Sequence, residues 1–171
     1  MLTNWHPNIY VLASLMAVVS GLSAAVFVAR QAPGNIATRP FTLMSATGSL
    51  WCLFPTVASL PLTESTLIWL ARLTYVSGSI CLPAYLHLSF AISGEEQLRL
   101  HQRFLHRAYI TGGLFALLSF SPYLIAGLIR FAPHFAALGG PLYHPFVGFY
   151  VVCCGYGLFA VWKDCQKAVG L

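Results

Sequence analysis

Charge is what this chain most lacks. Of its 171 residues only 8% are Asp, Glu, Lys or Arg, against 58% hydrophobic ones. A water-soluble domain carries about 25% charged residues, so this chain cannot dress a water-exposed surface. Acids are scarcer still. Glu64, Glu95, Glu96 and Asp164 are the full set, and none lies inside an apolar run. That leaves no carboxylate pair for acid–base chemistry and no intramembrane acid for proton pumping. The sequence also lacks an H-E-x-x-H motif, a Ser/His/Asp set and a phosphate-cradling glycine loop. A non-catalytic protein with no metal site is expected.

The five cysteines form no C-x-x-C spacing. Cys52, Cys81, Cys153 and Cys154 fall within apolar runs and Cys165 just past the last, so they read as small packing residues. Met1 to Pro7 contain no Lys or Arg, and the apolar run that follows exceeds a signal-peptide core. That run is expected to stay as a membrane span.

What is present is hydrophobic length, and mean hydropathy is +0.75. Five runs stand out, at Asn8–Ala29, Phe41–Leu60, Leu67–Ile92, Ala108–Ile129 and Pro145–Trp162. Each approaches or exceeds the ~20 residues that a helix needs to cross ~30 Å of hydrocarbon. Each must be helical, because a lone strand would leave its backbone groups unpaired in lipid. The predicted fold class is therefore an all-α, polytopic membrane bundle of about five transmembrane helices, forming one domain over residues 1–171.

Nine Lys and Arg residues set the orientation. Arg30, Arg39, Arg99, Arg103, Arg107, Lys163 and Lys167 fall on one side and only Arg72 and Arg130 on the other. Cationic residues collect in the cytoplasm, which puts the N-terminus outside and the C-terminus inside. Trp5 and Trp162 suit anchors at the two interfaces. The net charge of +5 follows from the same bias, so nucleic acid is not an expected partner; the lipid bilayer is. Between the third and fourth runs, Arg99, Arg103 and Arg107 recur every four residues and would form one basic helix face. It reads first as an orientation signal and second as a docking surface for anionic lipid or a partner. Residues 131–144, rich in Gly and Pro, read as an irregular outer loop or small cap.

Small residues at helical spacing mark packing faces. Ala17, Gly21 and Ala25 provide one. Ser45, Ser49, Cys52, Thr56 and Ser59 provide another, as do Gly112, Ala116 and Ser119, then Gly148 and Gly155. The third run carries more than packing. Arg72, Tyr75, Ser79, Pro83 and His87 follow at steps of three, four, four and four, lining up a cation, a phenol, a hydroxyl, a proline and an imidazole. Pro83 should kink the helix. Arg72 either snorkels to the outer headgroups or faces inward. For His87 an interhelical hydrogen bond is favoured over cofactor ligation, with a single-imidazole bond to a chlorophyll-type pigment left open.

Trp69-Leu70-Ala71-Arg72-Leu73-Thr74-Tyr75-Val76-Ser77-Gly78, followed by Pro83 and Phe90, resembles the N-terminal seven-helix sensor module of bacterial membrane histidine kinases. Trp51 in the second run matches a tryptophan typical of that module. Gly139-Gly140-Pro141-Leu142-Tyr143 and Gly157-Leu158 also fit it. The resemblance implies a sensory membrane domain in the bacterial inner membrane, joined to a signalling output domain, with Arg72 and Tyr75 at patterned positions. Seven spans and an output domain are typical of the family, whereas this sequence stops at Leu171 after five runs. A fragment or a shortened relative is therefore expected. The alternative is an accessory subunit of a photosynthetic or respiratory membrane complex, bound to other membrane subunits and contacting pigment or quinone. No cofactor is expected under the sensor reading.

Overall fold

In the computed structural model, residues 9–58, 60, 62–131 and 134–169 are described. The chain is mostly helical: α1 (Ile9–Gln31), α2 (Thr38–Ala58), α3 (Glu64–Ile92), α4 (Glu95–Leu100), α5 (Gln102–Leu118) and α6 (Tyr143–Val169). Between α5 and α6 lie two strands, β1 (Ile125–Phe131) and β2 (His134–Gly139). Among the described residues, α1, α3 and α6 contain segments long and apolar enough to cross a membrane: Val11–Gln31, Glu64–Ile92 and Tyr143–Lys167. Large apolar side chains point outward along them, such as Met16, Val19, Val151 and Leu158. That is how a helix sits when its solvent is lipid rather than water.

α3 is the axis of the bundle. α2, α5 and α6 pack against it, whereas α1 packs onto α2. The α1–α2 seam uses the expected small residues only in part. A methyl at Gly21 would lie 2.2 Å from Ser49 Oγ, and Ala25 and Ser49 are buried. Ala17 is exposed, and Ser59 lies outside the described residues. The link between these helices is fastened locally. Asn35 Oδ1 accepts the Ala37 N–H at 2.8 Å, and the Thr38 hydroxyl donates back to the Ala32 carbonyl. At the start of α3, Thr63 is the N-cap, its side chain accepting from the Thr66 N–H.

Two expectations are corrected between α5 and α6. The fourth run does not stay helical to Ile129: α5 ends at Leu118, and an antiparallel hairpin pairing Ile125 with Gly139 and Phe131 with His134 follows. The fold is thus not purely α, and residues 131–144, read as an irregular outer loop or small cap, hold strand β2. Pro122 is the physical reason, since it has no N–H for the ladder and biases Ser121 away from helical angles. Ser119 and Ser121 turn their hydroxyls onto the Phe115 and Leu118 carbonyls as the helix stops. β-branched Ile125 and Ile129 then favour a strand. Gly140 locks the hairpin base. Its N–H donates to the Leu124 carbonyl at 2.9 Å, and a Cβ there would lie 2.4 Å from the carbonyl oxygens of Pro122 and Tyr123.

Candidate functional site

The helix that carries the polar stripe is also the one that touches most of the others. Ser79 is fully buried, its Oγ donating to the Tyr75 carbonyl at 2.8 Å. Four residues on, Pro83 offers no N–H, so the Ser79 carbonyl lacks its helical donor. α5 approaches this gap through Gly112. A Cβ on Gly112 would sit 2.5 Å from the Ser79 oxygen and 3.1 Å from Pro83 Cγ. Pro83 and Gly112 therefore form one joint, with two backbones brought together where a ladder bond is absent.

One turn earlier, Gly78 does the same for α2. A Cβ there would fall 1.5 Å from Cζ3 of Trp51, so the indole lies across the α3 backbone. Its ring centroid is 5.6 Å from that of Tyr75, which is in turn 5.6 Å from Phe146 and 6.2 Å from Tyr143. Phe115 of α5 closes the group at 5.4 Å from Phe146. Tyr75 thus joins α2, α3 and α6 through ring contacts, each typically worth about 0.5–1.5 kcal/mol beyond area burial in soluble proteins. Sequence reasoning found Trp51 and Tyr75 but missed Phe146 and Phe115. The spacing of Tyr143, Phe146 and Tyr150 along one helical face was the available signal.

Arg72 does not join that cluster through any ring contact with Tyr75. Its guanidinium carbon lies 5.3 Å from the Trp69 ring centroid, a cation–π distance. Its Nε is buried with no hydrogen-bond partner, and no carboxylate pairs with it among the described residues. Burying that atom without a counter-charge is costly within a membrane span.

His87 stands at the other end of the stripe. Its Nδ1 lies 3.2 Å from the Tyr109 hydroxyl of α5, the interhelical bond expected for it. Among the described residues no group of three His, Cys, Asp or Glu side chains could hold a metal. His87 and Tyr109 border a cleft of about 490 Å³ that Leu98, Arg99, Gln102 and His106 also line. This cleft redraws the basic face. The helix is interrupted at His101 between α4 and α5, where the His101 ring stacks on Phe90 at 4.5 Å and its Nδ1 meets the Gln97 carbonyl at 2.9 Å. Arg99, Arg103 and Arg107 are all exposed, but only Arg99 lines the cleft, and its Nη2 reaches Glu95 at 3.8 Å. Gln102 and His106 were not singled out from sequence, although with Tyr109 they share a face of α5 at steps of four and three.

Two further packing expectations change. Gly148 and Gly155 meet nothing within 4 Å, whereas Gly157 lies where a Cβ would be 2.7 Å from Tyr85 Cε1 and 2.9 Å from Ser89 Oγ. The α3–α6 seam therefore runs along Gly157. The cysteines are all free thiols, and Cys81 donates to the Met44 carbonyl at 3.6 Å. No family model matches this chain, and neither a curated protein nor a solved structure gives a match.

Proposed function

We propose that this chain is a non-catalytic sensory module of the inner membrane of a bacterium, similar to the membrane domain of histidine kinases. In this reading a signal received in the outer half of the bundle shifts packing around α3. The shift passes to an output domain on the cytoplasmic side. The observation that carries it is the joint at Ser79, Pro83 and Gly112. A ladder bond missing from the central helix, met by a glycine of a neighbour, makes α3 the element most easily bent or slid. The Trp51–Tyr75–Phe146 rings couple that helix to α2 and α6, and Arg72 supplies an uncompensated charge near the outer end.

The topology proposed with it has five spans, N-terminus out and C-terminus in. α2 and α5 are the two crossings added to α1, α3 and α6. α5 has 17 residues, or about 25 Å of helix, so the Ser119–Leu124 turn would complete its crossing. Reporter enzymes fused after Leu62 should be active only outside the cytoplasmic membrane, and fusions after Leu100 only inside. The opposite pattern would sink the orientation.

The function is tested by following the reading frame past Leu171 and purifying the native product. Two further spans and a signalling domain are expected. A coloured assembly of several chains, with a frame ending at Leu171, would replace this reading with that of an accessory subunit.

A further inference from the structure

We infer that the cleft between α3, α4 and α5 is a binding site for the phosphate of an anionic phospholipid headgroup. The inference needs only that α3 crosses the bilayer, and it is separate from the sensory role.

Depth comes first. α3 has 29 residues, about 43 Å of helix against a hydrocarbon core of about 30 Å, so an α3 centred on the core extends roughly 7 Å beyond it at each end. His87 is five residues short of Ile92, about 7.5 Å from the end of α3. The cleft therefore opens at the boundary between acyl chains and headgroups.

Donor chemistry comes second. The Arg99 guanidinium has five N–H donors, and its contact with Glu95 at 3.8 Å, between two well-exposed side chains, is too long for a hydrogen bond. Gln102 brings an amide and His106 an imidazole to the same cleft. The His87–Tyr109 pair at 3.2 Å adds one more donor whichever way it is protonated. If the Tyr109 hydroxyl donates to Nδ1, the neutral imidazole carries its proton on Nε2. If Nδ1 donates, the hydroxyl proton is free. Among the cleft-lining side chains none is acidic, so the lining favours an anion. Leu98 and Leu105 line the same cleft and would meet the glycerol and the first methylenes. Bulk phosphate would gain nothing from those two leucines, which is why a lipid is the favoured source. Arg103 and Arg107 lie outside the cleft and contribute only general attraction to an anionic surface.

The test uses the full chain, purified in detergent and presented with dioleoyl phosphatidylglycerol or dioleoyl phosphatidylcholine, with retained lipid counted by native mass spectrometry. Phosphatidylglycerol should be retained preferentially. Arg99→Gln with Gln102→Ala should lower its retention by about 10-fold, the loss of a charge-assisted hydrogen bond made in the cleft. Arg103→Gln with Arg107→Gln removes twice the charge from outside the cleft and, with no anionic surface present in detergent, should change retention by less than about 2-fold. All four positions are exposed, so folding is not at stake. Equal retention of the two lipids, or a larger loss from the Arg103/Arg107 pair, would overturn the site. Displacement of the lipid by millimolar inorganic phosphate would overturn the lipid as its source.

Discussion

Gly78→Ala is expected to break the α2–α3 seam. Its new methyl would lie 1.5 Å from Cζ3 and 1.9 Å from Cε3 of Trp51, positions that no small adjustment relieves. Either the indole swings away, losing its contact with Tyr75, or α2 retreats along its length. Overpacking of this kind typically costs about 1–3 kcal/mol, and a whole ring in the path of the methyl puts this case at about 3 kcal/mol. Unfolding of the purified chain in mixed micelles measures it. The cause is separable from loss of the glycine itself. Trp51→Ala alone should cost about 3 kcal/mol, the low end for a tryptophan because the ring is half-buried, yet adding Gly78→Ala to it should cost little more, because the obstacle has gone. A double-mutant cycle should therefore return a coupling of nearly ~3 kcal/mol in magnitude. Additive costs would mean that Trp51 does not lie over Gly78.

Gly112→Ala should be nearly as damaging, for a different reason. The nearest atom is the Ser79 carbonyl oxygen at 2.5 Å, part of a helix backbone rather than a side chain that can rotate. α5 must move off α3, at a cost of about 2 kcal/mol. Pro83→Ala probes the same joint from the other side. Alanine supplies the missing N–H, draws the Ser79 carbonyl into the ladder and removes the ring atom 3.1 Å from the Gly112 position. The Gly112→Ala/Pro83→Ala variant should thus be more stable than Gly112→Ala alone by about 1 kcal/mol, the worth of one restored hydrogen bond. Under the proposed sensory role, Pro83→Ala should also hold output at one level whatever the stimulus. An output that still responds fully would remove the joint from the mechanism.

Both predictions rest on glycines whose role the sequence did not reveal. Gly112 was visible as a packing residue at helical spacing, but so were Gly148 and Gly155, which meet nothing, and Gly78 stood out only as the end of the stretch that resembles the sensor module. Spacing places a residue on a face without saying what stands opposite. The same limit explains the basic face. Arg99, Arg103 and Arg107 are four apart, yet the break at His101 leaves Arg99 alone in the cleft, beside Gln102 and His106. At that break the His101 ring stacks on Phe90 of α3, and no local pattern announces such a contact.

Hydrophobic length by itself determined that the chain is mostly helical and suited to a membrane, because unpaired backbone in lipid is too costly for anything less regular. Proline and cap chemistry brought the helix ends of the first three runs within a few residues of where they stand. In the fourth run hydropathy misled, since Leu124–Ile129 is as apolar as a span but follows Pro122 and pairs as a strand. Tertiary structure alone decided that α3 is the axis, that Tyr75 gathers rings from its neighbours, and that the open carbonyl at Ser79 meets Gly112. The reason is physical. Burial and backbone pairing are set along the chain, whereas a close approach between two helices depends on both partners at once.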